Sequence, residues 1–218
     1  MKIATWNTER LRHKNKLYEV IANCERAAAD ILVLTETDTR INPSYKSCFT
    51  TLPLEDAVYY KETERRVSIF TNYDLVKQYA TFDEHTAICV ELETSVGNLL
   101  VYGTIIGIYG NRNKNFSEDL TFITEDVARL VKSGKPLCVC GDYNMTFSDN
   151  YYFTKSGRAA LEEMFTSNDL SLLTRNRPEC IDHIALSMEF VGDRSTSVSE
   201  WNLDKKLSDH KGVVVDLK

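Results

Sequence analysis

Runs of consecutive apolar residues along the chain predict a fold in which strands dominate and are covered on both faces. Turn-forming residues separate these runs, and residues 95–98 predict a hairpin between two of them. Residues 40–56 contain two of the four prolines, which predicts a loop with at most a short edge strand. The predicted strands are Ile3–Trp6, Ile31–Leu34, Ala57–Tyr60, Val67–Thr71, Ala87–Leu92, Asn98–Ile106, Leu137–Cys140, Ile181–Ser187 and Gly212–Leu217.

Three further segments carry apolar residues at helical spacing. The first predicted helix is Asn15–Asp30. The second begins at Ser117, where acidic neighbours suit the helix dipole, and ends at Gly134. The third is Ser156–Ser167. Strands interleaved with helices predict two packed sheets flanked by helices, although periodicity alone does not distinguish this arrangement from one open sheet.

Composition places the chain among ordinary globular proteins. It has 218 residues with 43% hydrophobic and 27% charged residues, which fits a single domain over residues 1–218. No apolar run is long enough for a membrane helix, and the N-terminus lacks a signal-peptide pattern. We therefore expect a cytoplasmic protein that does not contact a membrane. No obligate protein partner is expected. The formal net charge of −6 disfavours a general nucleic-acid coat but permits an enzyme with a basic rim.

The six cysteines show no paired spacing of the kind that binds zinc. Cys138 and Cys140 alternate within an apolar run, as core residues of a strand do. Because a chain of this size needs no disulfide to fold, we expect all six cysteines to be reduced and buried.

Polar side chains follow or precede several of the apolar strands. An isolated acid at such a position is usually a solvated strand end. Five such groups in one chain point instead to a common site. These groups are Asn7 with Glu9; Glu36; Asp142 with Asn144; Asp182 with His183; and Ser208, Asp209 and His210.

The same segments, in the same order, resemble the motifs of the endonuclease/exonuclease/phosphatase superfamily, which includes exonuclease III-like and deoxyribonuclease I-like enzymes. The matching segments are residues 5–7 (TWN), 30–37 (DILVLTET), 67–70 (VSIF), 141–144 (GDYN), 181–184 (IDHI) and 208–210 (SDH). The resemblance implies a four-layer α/β sandwich of two mainly antiparallel sheets flanked by helices, with the site at one end.

The resemblance also implies roles for individual residues. Hard oxygen ligands for Mg²⁺ or Mn²⁺ would come from Glu36 with Asn7 and Asp209, and Glu9 is a further candidate ligand. Asp182 would orient His210 against the phosphate, as second partners of histidine commonly do. Asp142 is an alternative group for activating water, so the general base stays open, and Asn144 would hold the water or a phosphate oxygen. His183 points to the opposite face of its strand and is expected to be structural.

The chain departs from the superfamily pattern after the middle strand, where a histidine or tyrosine usually faces the phosphate. That position falls near Thr104 or Ile105, and Tyr109 or Asn111 are the candidates to replace it. The segment before Asp182 is short and lacks tryptophan, which disfavours abasic-site repair.

Basic residues near the motifs predict a rim that binds a phosphate-rich substrate, although a mixed-charge surface is the alternative. The predicted substrate contacts are Arg10, Arg12, Asn111 and Arg112, and Arg66 is counted among the other loop cations. A metal-dependent nuclease is the first interpretation. A phosphatase or phosphodiesterase of inositol phosphates, nucleotides or lipid headgroups is the second, and an inactive binding module is the third.

Overall fold

The computed structural model describes residues 1–54 and 59–218, and within them twelve strands form two six-stranded sheets. The first sheet has the spatial order β11 (Thr196–Trp201), β12 (Gly212–Leu217), β1 (Lys2–Asn7), β2 (Ile31–Asp38), β4 (Glu64–Thr71), β3 (Ser47–Thr50). The second has the order β5 (Asp74–Tyr79), β6 (Ala87–Thr94), β7 (Gly97–Ile105), β8 (Leu137–Asp142), β10 (Asp182–Ser187), β9 (Leu170–Leu172).

Most neighbouring strands run antiparallel, and each sheet contains a parallel pair. The parallel pairs are β1 with β2 and β7 with β8. A parallel pair requires a crossover, which is supplied by helix α1 (Leu17–Arg26) in the first sheet and by helix α2 (Lys114–Val131) in the second. The carboxyl ends of the two strands in each pair therefore lie at the same edge of their sheet.

Three hydrophobic clusters lie between and outside the sheets. The central cluster joins the two inner faces through β-branched residues such as Val33, Ile69 and Val101. The outer face of the first sheet packs on α1 through Val20 and Cys24. The outer face of the second sheet packs on α2 and on helix α3 (Lys155–Ser167). This four-layer arrangement confirms the predicted α/β sandwich.

Several boundaries differ from the sequence predictions. Helix α1 ends at Arg26 rather than Asp30, because Ala28 has a φ of 46° that interrupts the helix. Helix α2 begins at Lys114 rather than Ser117, because the side chain of Asn113 accepts the backbone N–H of Asn115 and caps the helix there. The structure adds β5, β9, β11 and a short helix α4 (Met188–Val191), which the apolar pattern did not predict.

The remaining expectations have mixed outcomes. All six cysteines are free, but Cys48 is exposed on edge strand β3, so the prediction that all are buried is wrong for that residue. The predicted strand Ala57–Tyr60 begins outside the described residues. Within the described part of the chain, no helix has the length and apolar character needed to cross a membrane.

Candidate active site

The predicted site residues come together where strands of both sheets end. Asn7 ends β1, and Glu36 lies near the end of the adjacent parallel strand β2. Asp142 ends β8 and lies directly opposite Asp182, the first residue of the antiparallel strand β10. Because the two sheets are packed face to face, this shared edge places carboxylates from both sheets side by side.

His210 and Asp182 form a buried hydrogen-bonded pair. The Nδ1 atom of His210 lies 2.6 Å from Oδ2 of Asp182, whose side chain is 1% exposed. The loop before β12 holds the histidine in place: its N–H donates to Ser208 Oγ at 3.1 Å, and its carbonyl accepts Trp6 Nε1 at 3.1 Å. Burial alone lowers the pKa of His210, but the charges of Asp182 and Asp142 outweigh it and raise the pKa to about 10. The ring is therefore an imidazolium at neutral pH, with both nitrogens as donors.

Asp142 accepts hydrogen bonds from two asparagines. Asn7 Nδ2 donates to its Oδ2 at 3.0 Å, and the backbone N–H of Asn144 donates to its Oδ1 at 2.8 Å. Burial raises the pKa of Asp142 to about 7, against the lowering effect of the His210 charge. A carboxylate of this kind can exchange a proton near neutral pH.

The side-chain amide of Asn144 is committed to the protein. Its Nδ2 donates to the carbonyls of Ile106 at 3.0 Å and Gly107 at 3.2 Å, which ties the turn after β8 to the loop after β7. Asn111 continues this connection, since its Nδ2 donates to the Asn144 carbonyl at 2.8 Å and its side chain is buried. Both asparagines therefore fix loops at the site.

Glu36 lies beside Asn7 in an unusual backbone conformation, with a φ of 41°. Burial raises the pKa of its carboxyl, and His210, Arg10, Arg66 and the Asn7 amide lower it. The other two predicted ligands meet nearby: the N–H of Asp209 donates to Glu9 Oε2 at 3.1 Å, while the Asp209 side chain is 69% exposed. The Oδ1 atom of Asn7 accepts the Glu9 N–H at 2.9 Å, which leaves one lone pair of that oxygen for another partner.

Among the described residues, one group of three side chains has the close spacing of a metal site: Asp142, Asp182 and His210 have ligand atoms within 4.8 Å of one another. Asp182 Oδ1 is buried and has no hydrogen-bond partner. With Glu36 and Asn7 beside this group, the donors are mainly hard oxygens, a chemistry that fits Mg²⁺ or Mn²⁺. The imidazolium form of His210 donates and so does not ligate.

The predicted substrate-binding residues do not all lie at this cluster. Arg10 donates to the Tyr59 carbonyl at 3.2 Å and lies 3.6 Å from Glu64, while Arg12 pairs with Glu9 at 3.0 Å and is 74% exposed. The hydrogen bond from Arg12 to Glu9 raises the pKa of the Arg12 guanidinium, and the charges of Asp209 and Glu36 add to this effect, which places Arg12 beside the predicted ligands.

The loop after β7 has an exposed tip, where the Tyr109 side chain is 67% exposed. Arg112 lines a cavity of about 960 Å³ between α2 and α3, whose lining also includes Asn111 but neither Asp142 nor His210. Thr104 and Ile105 are buried in β7.

Two further residues, His183 and Arg66, are buried. His183 is fully buried, as expected for a structural residue: its Nε2 donates to the Met145 carbonyl and its Nδ1 accepts from the Thr174 hydroxyl, both at 2.8 Å. The sequence predicted Arg66 to be a loop cation of the basic rim, but it lies in β4 and is buried near Glu36. The signal that could have found it is its position in the antiparallel register, which the sequence alone does not provide.

A model of the Endonuclease/Exonuclease/phosphatase family matches residues 4–210. The comparison with curated proteins finds no match.

Solved structures resemble the whole chain at low sequence identity. An endonuclease/exonuclease/phosphatase from Beutenbergia cavernae DSM 12333 has a TM-score of 0.73 and 16% identity, covering 100% of this chain and 71% of its own. The endonuclease domain of TRAS1, a telomere-specific non-LTR retrotransposon, has a TM-score of 0.73 and 15% identity, with coverage of 100% and 98%. An AP endonuclease from Archaeoglobus fulgidus has a TM-score of 0.71 and 15% identity, with coverage of 100% and 99%. At these identities the likeness shows the fold.

Proposed function

Because the chain belongs to the Endonuclease/Exonuclease/phosphatase family, a family of phosphoester hydrolases, we propose that it is a divalent-metal-dependent nuclease formed by one domain over residues 1–218. The observation that carries the proposal is the buried cluster of Asn7, Asp142, Asp182 and His210 at the shared edge of the two sheets. It combines a fixed cation, a carboxylate with a pKa near neutrality and oxygen donors for a metal ion.

The metal ligands are proposed to be Glu36 and Asn7, with Asp209 and Glu9 beside them. A bound Mg²⁺ or Mn²⁺ would neutralise charge on the phosphate and lower the pKa of a bound water. The buried, unpartnered Oδ1 of Asp182 and the raised pKa of Glu36 are both features that a nearby divalent cation would relieve.

The chain's own residues carry the proton and charge chemistry. His210, held by Asp182, donates Nε2–H to an oxygen of the scissile phosphate and stabilises the negative charge that grows there. Asp142 accepts the proton of the attacking water, because its pKa of about 7 suits a general base at neutral pH. Asn144 positions Asp142 and the loop after β7, and the exposed Tyr109 on that loop is the candidate to protonate the leaving group.

A phosphodiester in a nucleic acid is the proposed substrate. Arg10 and Arg12 flank the predicted ligands, and Asn111 and Arg112 lie on the loop that Asn144 anchors. Two of the similar solved structures are described as endonucleases, one from a retrotransposon and one as an AP endonuclease. The absence of tryptophan from residues 170–180 argues against abasic-site specificity.

A hydrolysis panel tests this proposal. Single-stranded DNA, duplex DNA with and without an abasic site, RNA, inositol polyphosphates and bis(p-nitrophenyl) phosphate are each incubated with Mg²⁺, Mn²⁺ or EDTA. Cleavage of a nucleic acid that EDTA abolishes supports a metal-dependent nuclease, whereas cleavage of inositol polyphosphates alone supports the small-molecule alternative. No cleavage by the wild type favours a binding module.

Matched variants show whether the site performs the reaction. Asp142→Asn and His210→Ala are expected to lower turnover by a factor of about 100 or more. Asp126→Asn is the control, because Asp126 is also a buried carboxylate but binds Tyr102 and Arg129 on the outer face of the second sheet. Activity losses below about threefold in both site variants would contradict the assignment of the site.

A further inference from the structure

Arg66 on β4 and Glu36 on the adjacent strand β2 lie at opposite positions, and within the described residues they form no ion pair. The register of β2 and β4 matches Thr35 with Val67 and Thr37 with Arg65, which places position 66 opposite position 36. Opposite charges at such positions normally attract across the sheet. Here, within the described residues, Arg66 takes part in no ion pair.

The Arg66 side chain is buried and makes few hydrogen bonds. The residue is 8% exposed, and its buried Nε has no hydrogen-bond partner. Its one side-chain hydrogen bond in the described part of the chain runs from a terminal nitrogen to the Tyr60 hydroxyl at 3.2 Å, and its guanidinium carbon lies 5.3 Å from the centre of the Tyr60 ring. A buried guanidinium is stable only with an anionic or hydrogen-bonding partner, and within the described residues the hydrogen-bonding partner of this side chain is the Tyr60 hydroxyl.

Nearby carboxylates are engaged by other cations. Glu64 binds Lys61 at 2.7 Å and lies 3.6 Å from Arg10. Arg65, the neighbour of Arg66 on the strand, donates to backbone carbonyls of Glu62 and Glu64. Among the described residues near Glu36, Arg66 is therefore a buried cation without an ion pair.

The charge of Arg66 acts on two nearby carboxylates. Its charge lowers the pKa of Glu36 and also that of Asp119, although burial raises both. Asp119 accepts the N–H of Gly107 at 2.9 Å, in the loop that follows β7. Arg66 thus acts on the predicted metal ligand Glu36 and on Asp119, which holds the loop after β7.

We propose that Arg66 is the anion-binding residue of a second phosphate subsite beside Glu36, where its guanidinium takes two oxygens of a substrate phosphate and Tyr60 positions it. This inference rests on the proposed phosphoester substrate. A guanidinium suits two phosphate oxygens because its donors form a planar fork. It also supplies positive charge near Glu36, whereas Thr104 and Ile105 are buried and carry no charge.

Binding of inorganic phosphate tests the subsite without metal or turnover. Thermal unfolding of the wild type, Arg66→Met and Arg65→Met is followed in EDTA with increasing phosphate, against sodium chloride of equal ionic strength. Once phosphate exceeds its Kd about tenfold, the wild type and Arg65→Met are expected to gain roughly 3–6 °C in Tm. Arg66→Met is expected to gain less than about 1 °C on the same scale, and without phosphate it should unfold no lower than Arg65→Met, since it loses an unpaired buried charge.

Hydrolysis of bis(p-nitrophenyl) phosphate with Mn²⁺ gives the second measurement. Arg66→Met is expected to lower kcat/KM by a factor of about 10 or more, since each decade is one lost charge-assisted contact of about 1.4 kcal/mol. Arg66→Lys, which keeps the charge and loses the fork, should recover part of this loss. Arg65→Met should stay within about threefold of the wild type, well under one decade.

The outcomes separate this inference from the proposed function. Phosphate protection of Arg66→Met equal to that of the wild type, no protection of the wild type, or failure of Arg66→Met to fold would each overturn the subsite. Hydrolysis by the wild type that Arg66→Met retains in full leaves the nuclease proposal intact and removes the subsite. Phosphate protection that depends on Arg66 in a protein without hydrolysis keeps the subsite and removes the nuclease.

Discussion

Asn7 Nδ2 donates a hydrogen bond of 3.0 Å to Asp142 Oδ2 across 135 positions of the chain, and it joins the two sheets. Asn7 ends β1 in the first sheet, and Asp142 ends β8 in the second. Both side chains are 1% exposed. The candidate site therefore depends on how the sheets pack, because both sheets contribute polar groups to it.

Replacing Asn7 with alanine tests this connection. The substitution removes the donor to Asp142 and leaves that buried carboxylate short of a partner, which we expect to cost about 1–3 kcal/mol of unfolding free energy. We expect kcat/KM to fall by a factor of about 100, because small misplacements at a reacting centre have effects of this size. Urea denaturation and hydrolysis kinetics measure the two quantities.

Asn98→Ala is the matched control for this experiment. Asn98 Nδ2 also donates to a buried carboxylate, Glu91, at 2.9 Å, but it lies on the distant hairpin. Its loss should leave activity within about threefold of the wild type, far from a decade of rate. Equal activity of Asn7→Ala and Asn98→Ala would contradict a functional role for the contact between the sheets.

The charge state of His210 should depend on Asp182. In metal-free protein, the pKa of His210 is raised to about 10 by Asp182 and Asp142 against the effect of burial. Asp182→Asn should move this pKa downward toward that of a free histidine, and NMR titration of the imidazole measures it. Asp209→Asn should shift the same pKa less, because that carboxylate is 69% exposed. A His210 ring that is neutral at pH 7 in the wild type would refute the imidazolium assignment.

Metal binding should depend on Glu36. Mn²⁺ should raise the Tm of the wild type, as any ligand of the native state does, and Glu36→Gln should lose most of that increase. Glu64→Gln is the control, since Glu64 is a buried glutamate of the adjacent strand that binds Lys61 instead. A Mn²⁺ response that Glu36→Gln retains and Glu64→Gln loses would exclude the proposed ligand set.

The sequence predicted the interior of the fold because buried strands have a strong apolar signal. Ile31–Leu34 and Leu137–Cys140 are continuous apolar runs, and both are central strands with fully buried side chains. Strand β5 (Asp74–Tyr79) is an edge strand with mostly exposed residues, so its sequence carries no comparable signal. Strand β11 was missed for the same reason.

The sequence predicted only those site residues that lie at the ends of apolar strands. Asn7, Glu36, Asp142, Asp182 and His210 flank apolar runs, and the fold brings these strand ends together. Arg66 follows a charged stretch and belongs to the site only through its position opposite Glu36, which requires the strand register. The hydrogen bonds of Asn144 and Asn111 to the loop after β7 likewise depend on tertiary packing rather than on local pattern.

His183 should make the stability of the protein sensitive to mild acid. Burial lowers the pKa of this histidine to about 4, against an ordinary value of 6.5. The Met145 carbonyl can only accept, so Nε2 carries the proton and Nδ1 accepts from Thr174, which describes a neutral ring. Between pH 6.5 and 4 the unfolded state binds a proton that the native state does not bind. The free energy of unfolding therefore falls as the pH falls through this window.

The expected size of this effect is about 3 kcal/mol between pH 7 and pH 4. His183→Gln keeps a donor toward Met145 and an acceptor toward Thr174 without a titrating ring, so its unfolding free energy should fall less over the same range. His13→Gln, at an exposed histidine, is the matched control and should retain the wild-type slope. Urea denaturation at several pH values gives the three slopes. Parallel curves for the wild type and His183→Gln would show that the buried ring does not cause the acid sensitivity.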